Sequence, residues 1–287
     1  MCRRILLWSC LLGITSLAGC GCDGDKPAGV LQTGKQKGGD SSLPPELAVD
    51  DKAEISREDR EIANKRILAA IDAHGQKIGQ TRMRREIMKG NFSGIPAEQE
   101  ITLSLPDSIR NNIKLRTPMG EQTPTIVVHG SSGWRADRGE VVEMPENEIY
   151  DIKNELYYLW VLTLRPLLFG GFDLRPLEET KFRDRPMIGV RVTRIPSKEK
   201  KEPPRAPINL WFDKETKLLS RIAFVGREAG QQLVREVYFS EFKTFNDVKL
   251  ATHIEEYRNG APFLEWVGIE YEILDKMDES KFQRPKS

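Results

Sequence analysis

Cysteine is confined to the first 22 residues of this 287-residue chain, at positions 2, 10, 20 and 22. The remainder can therefore form no disulfide, and it offers neither a thiol nucleophile nor a cysteine ligand for a metal. The chain also has no excess of either charge, because it contains 44 lysines and arginines and 43 aspartates and glutamates. A near-neutral chain has no general electrostatic attraction for nucleic acid. Without disulfides, a hydrophobic core must stabilise the protein.

Recognisable catalytic motifs are missing as well. The three histidines, His74, His129 and His253, show no metal-ligand spacing. The sequence contains no Gly-x-Ser-x-Gly, Walker or Gly-x-Gly-x-x-Gly pattern, and spacing alone selects no glycosidase pair among 43 acids. We therefore expect a protein that is not an enzyme and holds neither a metal nor a dissociable cofactor. An envelope hydrolase with an unrecognised site is the least favoured alternative.

The chain begins with a short basic segment followed by an apolar run. Arg3 and Arg4 precede an apolar run at residues 5–12, and residues 17–20 read Leu-Ala-Gly-Cys. A basic start, an apolar run and small residues at the cleavage site are the layout of a secretory signal peptide. The alternative is an uncleaved membrane helix, but a bilayer-spanning helix needs about 20 apolar residues. We predict a lipoprotein signal peptide over residues 1–19. The last four residues resemble a bacterial lipobox, which implies a covalent diacylglycerol and N-acyl lipid on Cys20.

Beyond the signal peptide, composition divides the chain into a tether and one domain. Residues 20–55 are rich in Gly, Asp, Lys, Ser and Pro, so they cannot bury enough apolar surface to offset their chain entropy. We predict that this segment is a flexible tether behind the acylated cysteine. Residues 56–287 have the size of a single β-barrel or sandwich domain. They contain no run of apolar residues long enough to span a membrane.

Two segments of the domain are predicted to be helical. Over residues 55–75, Ser56 is a plausible N-cap, apolar residues recur at helical spacing, and Gly75 ends the pattern. Over residues 145–169, Pro145 and two glutamates suit a first helical turn. The second half of this segment is apolar on nearly every side. Such a segment must be covered all round or must itself cover something.

The rest of the domain shows the alternation of apolar and polar residues that is typical of β-strands. Strands are predicted near residues 98–105, 110–116, 123–129, 188–192, 208–212, 218–225, 233–242, 249–257 and 263–274. Asn259-Gly260 is a strong hairpin signal. Short turns between successive strands favour an antiparallel meander that curls or closes. No helix–strand alternation indicates a parallel α/β sheet.

Large aromatic residues are the other conspicuous feature. Beyond the signal peptide the chain retains Trp134, Trp160, Trp211 and Trp266. One interpretation is that these side chains simply fill a core. The other is that a curled sheet with a helix over its mouth encloses an apolar cavity that takes acyl chains.

The order of the motifs resembles a known family. The resemblance depends on seven segments. The first three are Gly-Ser-Ser-Gly-Trp-Arg at residues 130–135, the Met-Pro before a helix at 144–145, and the hairpin Leu-Trp-Phe-Asp-Lys-Glu-Thr-Lys-Leu-Leu at 210–219. The others are Tyr-Phe-Ser-Glu-Phe-Lys at 238–243, Phe-Asn-Asp-Val-Lys-Leu-Ala at 245–251, Asn-Gly at 259–260 and a final Phe-x-x-Pro at 282–285. In this order they resemble the bacterial outer-membrane lipoprotein carrier and receptor superfamily (LolA/LolB-like), specifically its lipid-anchored planctomycete-type members. The resemblance covers roughly residues 60–285.

The resemblance implies a mainly β fold of the α+β class. It consists of a curved, antiparallel, half-open β-barrel with an apolar interior, closed by the N-terminal helix and a lid helix. It also implies a set of cavity and lid residues that bind the ligand. These are Trp134, Leu159, Trp160, Leu164, Phe169, Trp211, Phe224 and Trp266.

The sequence supports two functional hypotheses. The leading one is a lipid-anchored periplasmic protein that binds acyl chains such as palmitate, or lipidated proteins, in its cavity. Each buried CH₂ contributes about 0.8 kcal/mol, so no specific polar contact is needed. Gly21 follows Cys20, and by analogy the absence of an acidic residue there favours the outer membrane. The alternative is an envelope scaffold or interaction module with the same fold and a filled core.

Overall fold

In the computed structural model, the described residues are 47, 54–196, 205–228 and 231–286. The predicted signal peptide, Cys20 and nearly all of the predicted tether lie outside them. Among the described residues, no helix combines the length and hydrophobicity required to cross a membrane.

Within the described residues, fourteen strands form one antiparallel sheet. They are β1 Met83–Phe92, β2 Ile95–Ser104, β3 Ser108–Thr117, β4 Gly120–Gln122, β5 Thr125–His129, β6 Ser132–Asp137, β7 Glu140–Glu143, β8 Phe172–Phe182, β9 Arg185–Arg194, β10 Ile208–Asp213, β11 Leu219–Glu228, β12 Gln231–Phe245, β13 Val248–Arg258 and β14 Ala261–Ile273. Their spatial order is β7-β6-β5-β3-β2-β1-β14-β13-β12-β11-β10-β9-β8, with β4 beside β3. The expected mainly β, antiparallel meander is confirmed.

The first and last strands meet in the middle of the sheet. β1 pairs with β2 on one side and with β14 on the other. The two edges of the sheet are therefore internal in sequence, β7 and β8. Pro176 lies in β8, where the missing N–H of a proline is tolerated because the strand is an edge. The sheet remains open, as expected for a half-open barrel.

Helix α1 spans Arg57–His74, close to the predicted bounds. Its N-cap is Ser56, whose hydroxyl accepts a hydrogen bond from the Asp59 N–H at 3.0 Å. The Gly75 N–H donates to the Ile71 carbonyl at 2.9 Å and ends the helix. The caps are local interactions, which is why the sequence predicts this helix well.

Helix α2 spans Glu146–Val161 and connects the two edges of the sheet. The prediction of one helix to residue 169 is wrong, because the chain turns at Leu164, which has φ of 59°. A short 3₁₀ helix, Arg165–Leu168, follows with Pro166 in its first turn. Proline cannot donate the backbone hydrogen bond of a continuing α-helix, so the helix ends before it.

Both helices pack on the same face of the sheet, here called the inner face. One hydrophobic cluster lies between α1, the end of α2 and strands β8 to β13. A second lies between the first turns of α2 and strands β1, β2, β3, β5 and β14. Trp160 of α2 packs against both clusters. Helix α2 therefore spans the interior from one half of the sheet to the other.

Candidate functional site

A hollow of about 120 Å³ lies on the inner face beneath the C-terminal end of α2. Most of its lining residues are apolar, and they come from the ends of α1 and α2, the 3₁₀ helix at residues 76–82, the turn after α2, and strands β1 and β11 to β14. The residues are His74, Ile78, Thr81, Arg84, Glu86, Leu159, Leu162, Thr163, Leu219, Phe239, Phe242, Leu250, Ala251, Ile254 and Tyr271. An apolar cavity of roughly 150 Å³ in another protein stays dry and binds benzene. The hollow therefore has room for a small apolar group.

The polar groups that line the hollow already have partners. The Arg84 guanidinium binds the Glu86 carboxylate at 2.5 Å and donates to the Thr81 carbonyl at 2.6 Å. The Tyr271 hydroxyl donates to the Ala251 carbonyl at 2.9 Å, and burial raises the pKa of this phenol. Because these groups are satisfied within the protein, the surface left for a ligand is apolar.

His74 forms one wall of the hollow and joins α1 to two strands. Its Nδ1 lies 2.7 Å from the Lys249 carbonyl, and its Nε2 accepts from the Leu219 N–H at 3.0 Å. Nδ1 must therefore carry the proton, which makes the ring neutral. Burial lowers the pKa of this imidazole, although the hydrogen bond to the Lys249 carbonyl opposes the shift.

A buried network of four charged side chains connects α2 to the sheet. We call Glu155, Arg235, Glu256 and Arg258 the inner ion network. Arg235 binds Glu155 at 2.5 Å and Glu256 at 2.9 Å, and Arg258 binds Glu256 at 3.0 Å. Only 14% of the Glu155 side chain and 6% of the Arg235 side chain are exposed.

The pKa values of Glu155 and Arg235 respond differently to their surroundings. Burial raises the pKa of Glu155, against the opposing effect of the nearby Arg235. Burial alone would lower the pKa of Arg235, but the Glu155 and Glu256 carboxylates hold it above its usual range. The guanidinium also lies over the Phe224 ring, at 4.9 Å from its centroid. The arginine is thus a fixed cation of the inner wall.

Five of the eight sequence-predicted ligand residues lie on the inner side. Leu159 lines the hollow itself, and Trp160 packs beside it against both clusters. Leu164, Phe224 and Trp266 are buried in the two hydrophobic clusters. The structure thus brings these five together around α2. Their contact with a ligand stays a prediction.

The other three predicted residues do not face the interior. Leu210 and Phe212 belong to the inner cluster, so Trp211 between them points to the opposite, outer face. Similarly, a side chain at Gly133 would meet Ile149 of α2, so the neighbouring Trp134 points outward. Phe169 is 81% exposed, because the chain has already turned away from α2.

The sequence reasoning missed the inner ion network. In β12, Arg235 lies between the buried Leu233 and Val237 at alternate positions. The alternation of side chains along a strand therefore predicts that Arg235 points inward. Its partner Glu155 gave no comparable signal. The pairing depends on how α2 crosses the sheet, which local pattern does not specify.

The part of the chain that the structure describes contains no stronger candidate site than the hollow. No group of three or more metal-ligating residues occurs there. His253 lies between Ser240 at 3.2 Å and Glu265 at 3.1 Å, but Ser240 and His253 are directly paired residues of neighbouring strands. We interpret this contact as cross-strand pairing on the sheet surface. A second hollow of about 190 Å³, at the β13–β14 bulge, is lined mainly by polar residues, among them Asn91, Glu255 and Glu265.

Comparison with known proteins finds distant structural neighbours. No family model and no curated protein match the chain. Among solved structures it is similar to a putative outer membrane lipoprotein-sorting protein domain from Vibrio parahaemolyticus, with 12% identity, a TM-score of 0.46, and coverage of 77% of this chain and 97% of the other. It is also similar to a LolA superfamily protein from Nitrosomonas europaea, with 10% identity, a TM-score of 0.46 and the same coverage. The names of both neighbours agree with the LolA-like resemblance of the sequence. At these values the likeness carries no conclusion about this chain, and the LolA-like assignment with its planctomycete-type detail stays a prediction.

Proposed function

We propose that this chain is a lipid-anchored protein of the bacterial cell envelope that binds an acyl chain in the hollow beneath α2. The proposal includes a diacylglycerol and N-acyl lipid on Cys20 and a periplasmic position, with the outer membrane favoured. Its client is a lipid or a lipidated protein. Helix α2 and the following 3₁₀ turn, residues 146–168, act as a movable lid.

The observation that carries this proposal is the apolar hollow between the lid and the open sheet. Leu159 and Leu162 of the lid form one side of it, and Leu250 and Ile254 of β13 form the other. Ligand pockets that bury a small molecule usually have volumes of about 300 Å³ or more. The present hollow of about 120 Å³ therefore corresponds to a closed arrangement, and a longer chain enters only when the lid moves.

Movement of the lid does not require the sheet to break. The strands on either side of it, β7 and β8, are the two edges and pair with each other nowhere. Lifting the lid thus costs buried apolar contacts, the Glu155–Arg235 and Glu148–Arg135 ion pairs and the hydrogen bond from Arg205 to Asn154, but no strand pairing. Burial of acyl methylenes, at about 0.8 kcal/mol each, offsets that cost.

The alternative is an envelope scaffold with a filled core, and one observation favours it. The hollow is small, and the two clusters around it are well packed. In that case α2 is a permanent part of the core, and partners bind elsewhere on the surface.

The deciding experiment compares two leucine-to-tryptophan variants by native mass spectrometry with lipid extraction. Leu250→Trp places a large side chain in the hollow, whereas Leu68→Trp adds the same bulk at a position of α1 that is 49% exposed. The chain carries Cys20→Ala in both cases, so that no covalent lipid contributes to the mass.

We expect a co-purifying lipid or acyl peptide in the Cys20→Ala parent and in Leu68→Trp, and its loss in Leu250→Trp. Unchanged circular dichroism and unfolding midpoints establish that both variants are folded. An apo mass for the parent that stays unchanged after incubation with lipids would contradict the proposal and favour the filled scaffold.

A further inference from the structure

We propose that the interior binds an anionic amphiphile. The charged head group of this ligand takes the position next to Arg235 that Glu155 occupies in the closed molecule. This inference rests on the proposed acyl-binding function and adds the chemical class of the ligand. The shared chemistry of such a head group is a carboxylate or a phosphate.

The inner ion network lies about one helical turn away from the apolar hollow, and its Glu256 also lines the second hollow at the β13–β14 bulge. On α2, Glu155 precedes the lining residue Leu159 by four positions, which is about one turn or 6 Å along the same face. On β13, Glu256 follows the lining residue Ile254 by two positions, which is about 7 Å on the same face of the strand. Two independent elements therefore place the charges beside the apolar surface, as an amphiphile requires.

One charge of the network moves with the lid. Arg235, Glu256 and Arg258 all belong to the sheet, and Glu155 alone belongs to α2. When α2 moves away, Arg235 loses the carboxylate that its Nη1 binds at 2.5 Å. An anion that takes this place stabilises the poorly hydrated guanidinium.

An anionic head group replaces the Glu155 carboxylate and a neutral one does not. A carboxylate or phosphate oxygen accepts charge-assisted hydrogen bonds from a guanidinium, which are stronger than those between neutral groups. Arg235 presents Nη1 to Glu155 at 2.5 Å in the closed molecule, so a ligand oxygen at the same place meets the same donor. The raised pKa of Glu155 agrees with this, because burial disfavours its charged form.

The other ion pair at the hollow provides an internal contrast. Arg84 and Glu86 belong to the same strand, β1, and bind each other at 2.5 Å. Their charges stay balanced wherever α2 lies. That end of the hollow therefore gives no preference for a charged ligand, and the selectivity depends on Glu155 and Arg235.

The test is calorimetric titration of the full chain carrying Cys20→Ala with two ligands that share an acyl chain, laurate and neutral 1-monolaurin. We expect laurate to bind at least about tenfold more tightly. Glu155→Gln keeps the shape and removes the competing charge, so it should increase affinity for laurate more than for monolaurin. The double variant Glu155→Gln/Arg235→Met should bind the two ligands with similar affinity.

The matched control is Glu236→Gln, the next residue of β12 on the outer face. Glu236 binds Arg221 at 2.5 Å, so this variant also removes one carboxylate from an ion pair, and the preference for laurate should not change. Circular dichroism and thermal unfolding verify folding in each variant. Equal affinity for both ligands in the parent and variants overturns the head-group inference and leaves the acyl-binding proposal standing. Failure of the parent to bind either ligand overturns both.

Discussion

His74 is the residue whose ionisation most directly concerns the fold. The neutral ring donates to the Lys249 carbonyl and accepts from the Leu219 N–H. A protonated ring cannot accept, so the buried Leu219 N–H would lose its partner. Burial accordingly lowers the pKa of His74 in the folded protein.

From this we predict a pH dependence of stability. The unfolded chain binds a proton at a histidine pKa of about 6.5, and the folded chain only at lower pH. The contribution of neutral His74 is therefore fully present above about pH 6.5 and is lost as the pH falls toward the folded pKa. Urea unfolding between pH 8 and pH 5 should show a decrease that is smaller in His74→Gln. An identical decrease in the variant would assign it to other groups.

Gly75 allows a second prediction at the residue scale. Its φ is 107°, and a Cβ there would lie 2.2 Å from the Asp247 carbonyl oxygen. Gly75→Ala should lower the free energy of unfolding by roughly 2 kcal/mol or more, because strain and a backbone clash add. The control is Gly94→Ala, which has φ of 82° but open space around the Cβ position. Chemical denaturation should show the smaller loss for Gly94→Ala, and equal losses would mean that the Asp247 clash has no effect.

At the scale of the element, the lid ends earlier than its apolar sequence indicates. Leu164 is fully buried, whereas Phe169, five residues later, is 81% exposed. Leu164→Ala should therefore cost about 2–5 kcal/mol of stability through a cavity in the core. Phe169→Ala should change the free energy of unfolding by less than about 0.5 kcal/mol. Guanidinium unfolding of the two variants tests this, and a large loss for Phe169→Ala would show that residue 169 belongs to the packed lid.

The elements that sequence predicts well are those with local signals. Helix α1 has its Ser56 cap and Gly75 end, and the later strands have clean alternation. The bounds of β1 were not predicted, because inward-facing Arg84 and Glu86 neutralise each other and remove the apolar pattern. The predicted inward direction of Trp134 and Trp211 is wrong for another reason. Shifting a strand by one residue exchanges its faces, and composition does not determine the register.

At the scale of the whole molecule, the predicted anchor remains to be tested. Cys20→Ala should move the protein from the membrane fraction to the soluble fraction, because the predicted attachment is the acylated Cys20 thiol. Cys22→Ala, two residues further along, is the matched control and should stay with the membrane. Fractionation and mass analysis of the N-terminal peptide measure both. Membrane retention of Cys20→Ala would indicate an uncleaved helix instead.

The central pairing of β1 with β14 has a mechanical consequence. The Leu274 N–H donates to the Met83 carbonyl at 2.9 Å, so the chain enters and leaves the sheet at neighbouring positions in its centre. The lid joins the two edges, which are the strands farthest from that point. The N-terminal end of the domain reaches β1 through α1, whose Arg66 guanidinium donates to the Leu177 and Gly189 carbonyls of β8 and β9 at 2.8 and 2.7 Å. A pull on the N-terminal end therefore loads the sheet edge beside the lid, whereas a pull on the C-terminal end loads the centre of the sheet.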